Sequence, residues 1–156
     1  MARAVHLMVC AAFLFIAALV LTTGCIEEPA KNTTPAPGPA ILVDYSRTGG
    51  IAGVEDHLVI FENGAGVYSG QRGRGAFFLN QTILDEINDE FYLVGFLSMN
   101  ASYPAPSPGA DYFTYTITYH NHTVNAEDTG VPPALQPVIQ RLNEIIAERA
   151  NNPVYS

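Results

Sequence analysis

Three of the four histidines fall beyond the apolar N-terminus, at His57, His120 and His122. A spacing of two places His120 and His122 on one side of an extended strand, an arrangement that offers two imidazole ligands to a metal ion. No third or fourth ligand is identifiable, so a hairpin bearing two surface histidines is the plainer expectation, and His57, at a strand start, reads as structural. Nucleophilic catalysis would need a serine or cysteine on a shaped turn with a histidine and an acid, yet no G-x-S-x-G elbow occurs. The H-E-x-x-H and GxxxxGK[ST] motifs are also missing. Asp85, Glu86, Asp89 and Glu90 read as the solvated face of a helix. Cys10 and Cys25 both lie near the N-terminus, so neither a disulfide nor a thiolate site is expected in the folded part. The chemistry-bearing residues therefore predict a protein that is not an enzyme and needs no cofactor or metal.

The segments that would position such residues begin with an address. Residues 5–21 form an apolar run of 17 whose only polar member is His6, preceded by Arg3. That is the shape of a signal segment over residues 1–24, although 17 residues is also the lower limit for an uncleaved spanning helix. Leu21-Thr22-Thr23-Gly24-Cys25 resembles the prokaryotic lipobox, in which a small residue precedes a cysteine whose thiol takes a diacylglyceryl group. Thr22 departs from it, since the box prefers leucine there. The expectation is a chain lipidated at Cys25 and displayed on the outer face of the cytoplasmic membrane, with the lipid bilayer as a partner.

Residues 25–40 contain four prolines and no large apolar residue after Ile26, a tether composition. At about 3.1 Å per residue in a polyproline II form, residues 27–40 would span some 40 Å. Four sequons, at Asn32, Asn80, Asn100 and Asn121, suit a glycosylated prokaryotic surface, archaeal before bacterial. After cleavage, six basic residues face 15 acidic ones, 6 minus 15 or −9, which excludes a phosphate backbone as partner and is also compatible with salt adaptation.

The remaining 110 or so residues suit one domain at 41–150, followed by a tail at 151–156. Residues 41–47 alternate Ile41, Val43 and Tyr45 against Leu42, Asp44 and Ser46, the period of a half-buried strand. Residues 48–53 hold three glycines and read as an exposed, shaped loop. Asn63-Gly64 between residues 57–62 and 66–69 predicts a type I′ hairpin. Residues 70–75 read as a solvated crossing, being too rich in glycine for a strand interior. Asn80 can cap a helix with Ile83, Leu84, Ile87, Phe91 and Val94 on one face. Prolines at 104, 106 and 108 give a stiff loop over 98–111. Residues 112–119 read as a central strand that turns through His120-Asn121-His122 into a second hairpin. A last helix near Pro132-Pro133 carries Leu135, Val138, Ile139, Leu142, Ile145 and Ile146. The expected fold is α+β, an antiparallel sheet of about four to five strands with two helices on one face.

Three segments together resemble the emfourin family of protein inhibitors of thermolysin-like metalloproteases: Arg47-Thr48-Gly49-Gly50-Ile51-Ala52-Gly53, then Gly109-Ala110-Asp111-Tyr112-Phe113-Thr114-Tyr115-Thr116-Ile117, then the proline-led final helix. The likeness covers most of residues 41–150. It implies a compact α+β domain that binds a metalloprotease at its cleft without being an enzyme. The motif positions carried over are Gly49, Gly50, Gly53, Asp111 and Tyr115. Glycines there permit unusual backbone angles and close approach. The competing expectation is a non-inhibitory module for an envelope or membrane partner.

Overall fold

The computed structural model describes residues 38–107, 109 and 111–151. The signal segment, Cys25, Asn32, most of the tether and the tail lie outside the described residues. Among the described residues the fold is α+β, with one seven-stranded mixed sheet and two α-helices. In chain order the elements are β1 (Ile41–Gly49), β2 (Val54–Phe61), β3 (Ala65–Gly70), β4 (Gly73–Phe78), α1 (Gln81–Leu93), β5 (Ser102–Tyr103), β6 (Phe113–Tyr119), β7 (His122–Glu127) and α2 (Gln136–Asn151). The strands lie in the order β4-β3-β2-β1-β6-β7-β5. All pairings are antiparallel except that of β5 with β7. The sheet thus exceeds the expected four to five strands and is not purely antiparallel.

Most of that difference lies in residues 70–78. The glycines expected to form a solvated crossing instead build β4, paired in unbroken register with β3. Their role is steric. Gly66 lies opposite Phe77 and Gly75 opposite Tyr68, and a Cβ at either glycine would press into the ring of its partner. Each aromatic ring lies over the glycine on the neighbouring strand, so the absent side chain is filled from across the ladder. Ile41 corrects a second expectation. The β1–β2 register shifts between Ile41 and Val43, which leaves Ile41 exposed and turns Leu42 into the core.

The inward side chains of the sheet, including Val43, Tyr45, Leu58, Ile60, Tyr68, Phe77, Ile117 and Val124, share one core cluster with Leu84, Ile87 and Phe91 of α1 and the whole expected stripe of α2. Both helices therefore cover the same face. The Asn80 side chain caps α1 by accepting from the Ile83 N–H at 3.0 Å. Pro137 sits in the first turn of α2, where its missing N–H costs nothing. Burial of each Leu, Ile or Val on that helix is worth about 1.5–3 kcal/mol. Packing, not intrinsic helix propensity, holds α2 in place.

The other sheet face is uncovered and divides by composition. Cross-strand neighbours Ser46, Thr116 and Asn125 form a polar row, as do Asp44, Thr118 and Thr123. Thr116 Oγ1 and Asn125 Oδ1 are 2.9 Å apart, and the hydroxyls of Thr118 and Thr123 are 2.8 Å apart. On β2, β3 and β4 the same face carries Val59, Val67, Ala76 and Phe78 instead.

Candidate functional site

The sequence motifs meet at one end of the sheet. The β1–β2 turn reverses the chain through Gly49, Gly50 and Gly53, whose φ angles are 114°, 69° and 59°. These are left-handed values that a residue with a Cβ adopts only under strain. At Gly49 a side chain would also collide with the Tyr112 carbonyl, and at Gly50 a Cβ would lie 2.9 Å from the Phe113 ring. At Gly53 there is open space, so only the backbone angle asks for glycine there. The Gly50 N–H donates to Tyr112 O at 3.3 Å, tying the turn to the start of β6. On the other side, Gln71 of the β3–β4 turn donates its amide to Ala52 O at 2.7 Å and to Gly53 O at 3.2 Å. The turn is held from two directions, and Ile51, 89% exposed, stands at its tip.

Asp111 is exposed beside this cluster. Tyr115 is not part of the exposed surface. It faces the helices at 9% exposure, opposite Arg47 on β1. Burial raises its phenol pKa above the ordinary value; Asp128 adds to the rise and Arg47 opposes it. The structure thus brings Gly49, Gly50, Gly53 and Asp111 to one end and sets Tyr115 in the core behind them.

Sequence reasoning missed the base of this site. Arg47 pairs with Asp56 beneath the turn, and its guanidinium carbon lies 5.3 Å from the Phe113 ring centroid. Asp56 is the one buried charged residue among the described residues, at 7% exposure. A Cβ at Gly70 would strike its carboxylate, so glycine at 70 makes room for the ion pair. Arg47, Asp56, Tyr68, Gln71, Arg72 and Asn143 line a cleft of about 290 Å³ between the sheet and α2. The signal was available: Asp56 shares an inward phase with Leu58 and Ile60, where a lone carboxylate implies a buried partner. Nearby, Tyr45 donates to Asn143 Oδ1 at 2.8 Å, and burial pushes the Tyr45 phenol pKa upward.

The histidines do not converge. His120 and Asn121 form the β6–β7 turn with φ of 44° and 63°, so His120 leaves the strand alternation that the two-residue spacing presumed. His120 Nδ1 is 3.9 Å from Glu62, whereas His122 Nε2 lies 3.2 Å from Met99 O and its ring meets Phe96 edge-on. His57 pairs with Asp44 at 2.8 Å on the uncovered face. Among the described residues no three His, Cys, Asp or Glu side chains gather as a metal site. Asn80, Asn100 and Asn121 are all exposed. No helix among the described residues is long and apolar enough to cross a membrane.

In comparisons with known proteins, the chain matches no family model and no curated sequence. The geometry of the loop end therefore carries the functional argument together with the motif resemblance.

Proposed function

We propose that this chain is an exported lipoprotein, held at the outer face of the cytoplasmic membrane through Cys25, whose outer domain inhibits a thermolysin-like metalloprotease in the manner the emfourin-like motifs imply. The observation that carries this reading is the braced β1–β2 turn with Ile51 at its tip. A loop fixed before binding loses little conformational entropy on contact, which is what tight cleft binding requires. The turn also stands at the end of the sheet opposite to Ile41, where the chain enters the domain. Nine strand residues at about 3.4 Å each separate the two by roughly 30 Å. A tether joined at Ile41 would therefore attach at the end of the domain remote from the turn.

The test titrates residual peptidase activity of thermolysin-like enzymes with the soluble domain from residue 40 onward. Inhibition by the native domain and its loss in Ile51→Glu are expected; no inhibition across several such enzymes sinks the proposal. Mass spectrometry of the mature N-terminus tests the anchor separately, since an unmodified chain beginning before Cys25 favours an uncleaved helix. Exposed Asn80, Asn100 and Asn121 are compatible with glycans at those sequons, a point the same spectra address.

A second reading, a non-inhibitory module for an envelope or membrane partner, draws on the uncovered polar rows of β1, β6 and β7. Cross-linking on intact cells separates the two. Recovery of envelope components and never a protease favours the second.

A further inference from the structure

The two edges of the sheet are unequal. β5 is only two residues long and runs into Pro104, the kind of short, proline-flanked edge that discourages pairing. β4 has none of these protections. It is six residues long, regular in register, free of proline, and carries Arg74 as its sole charge.

The phase of β4 follows from one bond. Leu79 N–H donates to Gly64 O at 2.8 Å, so 79 is a hydrogen-bonded position toward β3. Alternation along an antiparallel ladder then turns the N–H and C=O groups of Arg74, Ala76 and Phe78 outward. All three residues are exposed, Phe78 at 69%. Their side chains lie on the uncovered sheet face, beside Val67 at 44% exposure.

We propose that this edge is a self-association surface, on which two copies of the chain pair their β4 strands antiparallel about a twofold axis at Ala76. In that register Arg74 of each copy lies opposite Phe78 of the other. The guanidinium meets an exposed ring, twice, and about six inter-chain backbone hydrogen bonds form. The contact is isologous, as a closed dimer requires. Charge permits it here. Residues 63–84, which supply the β3–β4 hairpin, contain no carboxylate in a chain that has 15. Two acidic molecules can approach along this hairpin without opposing their acids, and the apolar halves of the two uncovered faces become continuous. The loop end with Ile51 stays open in both copies.

The folded domain lacks cysteine, so Ala76→Cys in the full chain, in membranes or detergent micelles, is a direct reporter. Directly opposed hydrogen-bonded residues have Cα atoms about 5.5 Å apart, within the span of a disulfide. Under mild oxidation, and corrected for the unsubstituted chain, Ala76→Cys is expected to form covalent dimers at least about tenfold faster than Thr114→Cys, exposed on an interior strand. Ala76→Pro removes only an outward N–H, so it is expected to keep the native circular dichroism and melt while sedimenting as a monomer where the unsubstituted chain doubles its mass. Equal cross-linking rates overturn the proposal. So does an unchanged mass for Ala76→Pro, or an Ala76→Cys adduct formed with a different protein only.

Discussion

Replacing Asp56 by alanine is expected to destabilise the domain by about 2–3 kcal/mol. The carboxylate is buried against Arg47, whose own side chain is 26% exposed and whose Nε is buried without an acceptor. Removing one partner of a fully buried pair strands a charge and costs roughly 3–5 kcal/mol. The partial exposure of Arg47 and the Phe113 ring beside its guanidinium lessen that cost, which gives the lower figure. Arg47→Met leaves a carboxylate with only 9% side-chain exposure, so its cost is expected at about 3 kcal/mol or more. Arg47→Met with Asp56→Leu replaces the ion pair by two apolar side chains, and is expected to cost less than Arg47→Met or Asp56→Leu alone. The coupling from such a cycle should then be at least about 3 kcal/mol.

The chain has no tryptophan, so urea unfolding is best followed by far-ultraviolet circular dichroism. With a slope near 1–1.5 kcal/mol per molar, each 1 kcal/mol moves the midpoint by about 0.7–1 M. A loss below about 1 kcal/mol for Asp56→Ala, or single costs that add in the double variant, would refute the reasoning. Either result would place the pair among ordinary surface ion pairs and remove it as the base of the loop end.

Gly50→Ala must hold a left-handed φ and displace the Phe113 ring, so a cost of about 2 kcal/mol and faster amide exchange in the turn are expected, measured by unfolding and hydrogen exchange. Asn80→Ala removes the cap of α1 and should cost about 1 kcal/mol by the same unfolding assay, with the proposed inhibition unchanged. Tyr45, Tyr115 and Tyr119 all have phenol pKa values raised by burial. Their stabilisation is complete below the unfolded phenol value near 10 and is lost as pH rises from there toward the folded values. Alkaline unfolding is therefore expected above about pH 10, with these three tyrosines ionising together with it in an absorbance titration at constant salt.

Much of the fold was legible because two periodicities dominate it. The 3.6-residue stripe predicted for the last helix is buried residue by residue, and the alternation along β6 puts Tyr115, Ile117 and Tyr119 in the core and Thr114, Thr116 and Thr118 on the opposite face. Local chemistry served as well at the Asn80 cap, whereas Asn63-Gly64 marks the hairpin but not the type I′ turn expected there: of the two residues only Gly64 has a positive φ, 88°, and its N–H donates to Phe61 O at 2.9 Å, so the reversal runs through residues 62–64. What sequence could not convey was pairing across strands. Gly73 and Gly75 look like loop residues when taken alone, and only the Tyr68 ring packed over Gly75 gives that glycine a place in β4. The same limit misplaced Ile41, since a bulge is a property of two strands. His120 failed for a local reason: spacing of two implies a shared face only while the strand continues, and His120 is in the turn.

The loop end is best understood as a consequence of sheet register, not as a decoration of the sheet. Gly49 must be glycine because β1 and β6 run side by side to their ends, which brings the Tyr112 carbonyl against it. Gly70 must be glycine because Asp56 pairs inward with Arg47, and Arg47 in turn lies against Phe113 at the start of β6. Gln71 then joins the neighbouring hairpin to Ala52 and Gly53. Each contact that shapes the turn also joins two strands, so stability and loop shape are linked. Ile51, 89% exposed at the tip, contributes apolar surface and makes none of these bracing contacts. Substitution at 51 should therefore change partner recognition at constant stability, whereas substitution at 49, 50, 56 or 70 should change both together. That contrast separates a binding tip from the scaffold that presents it.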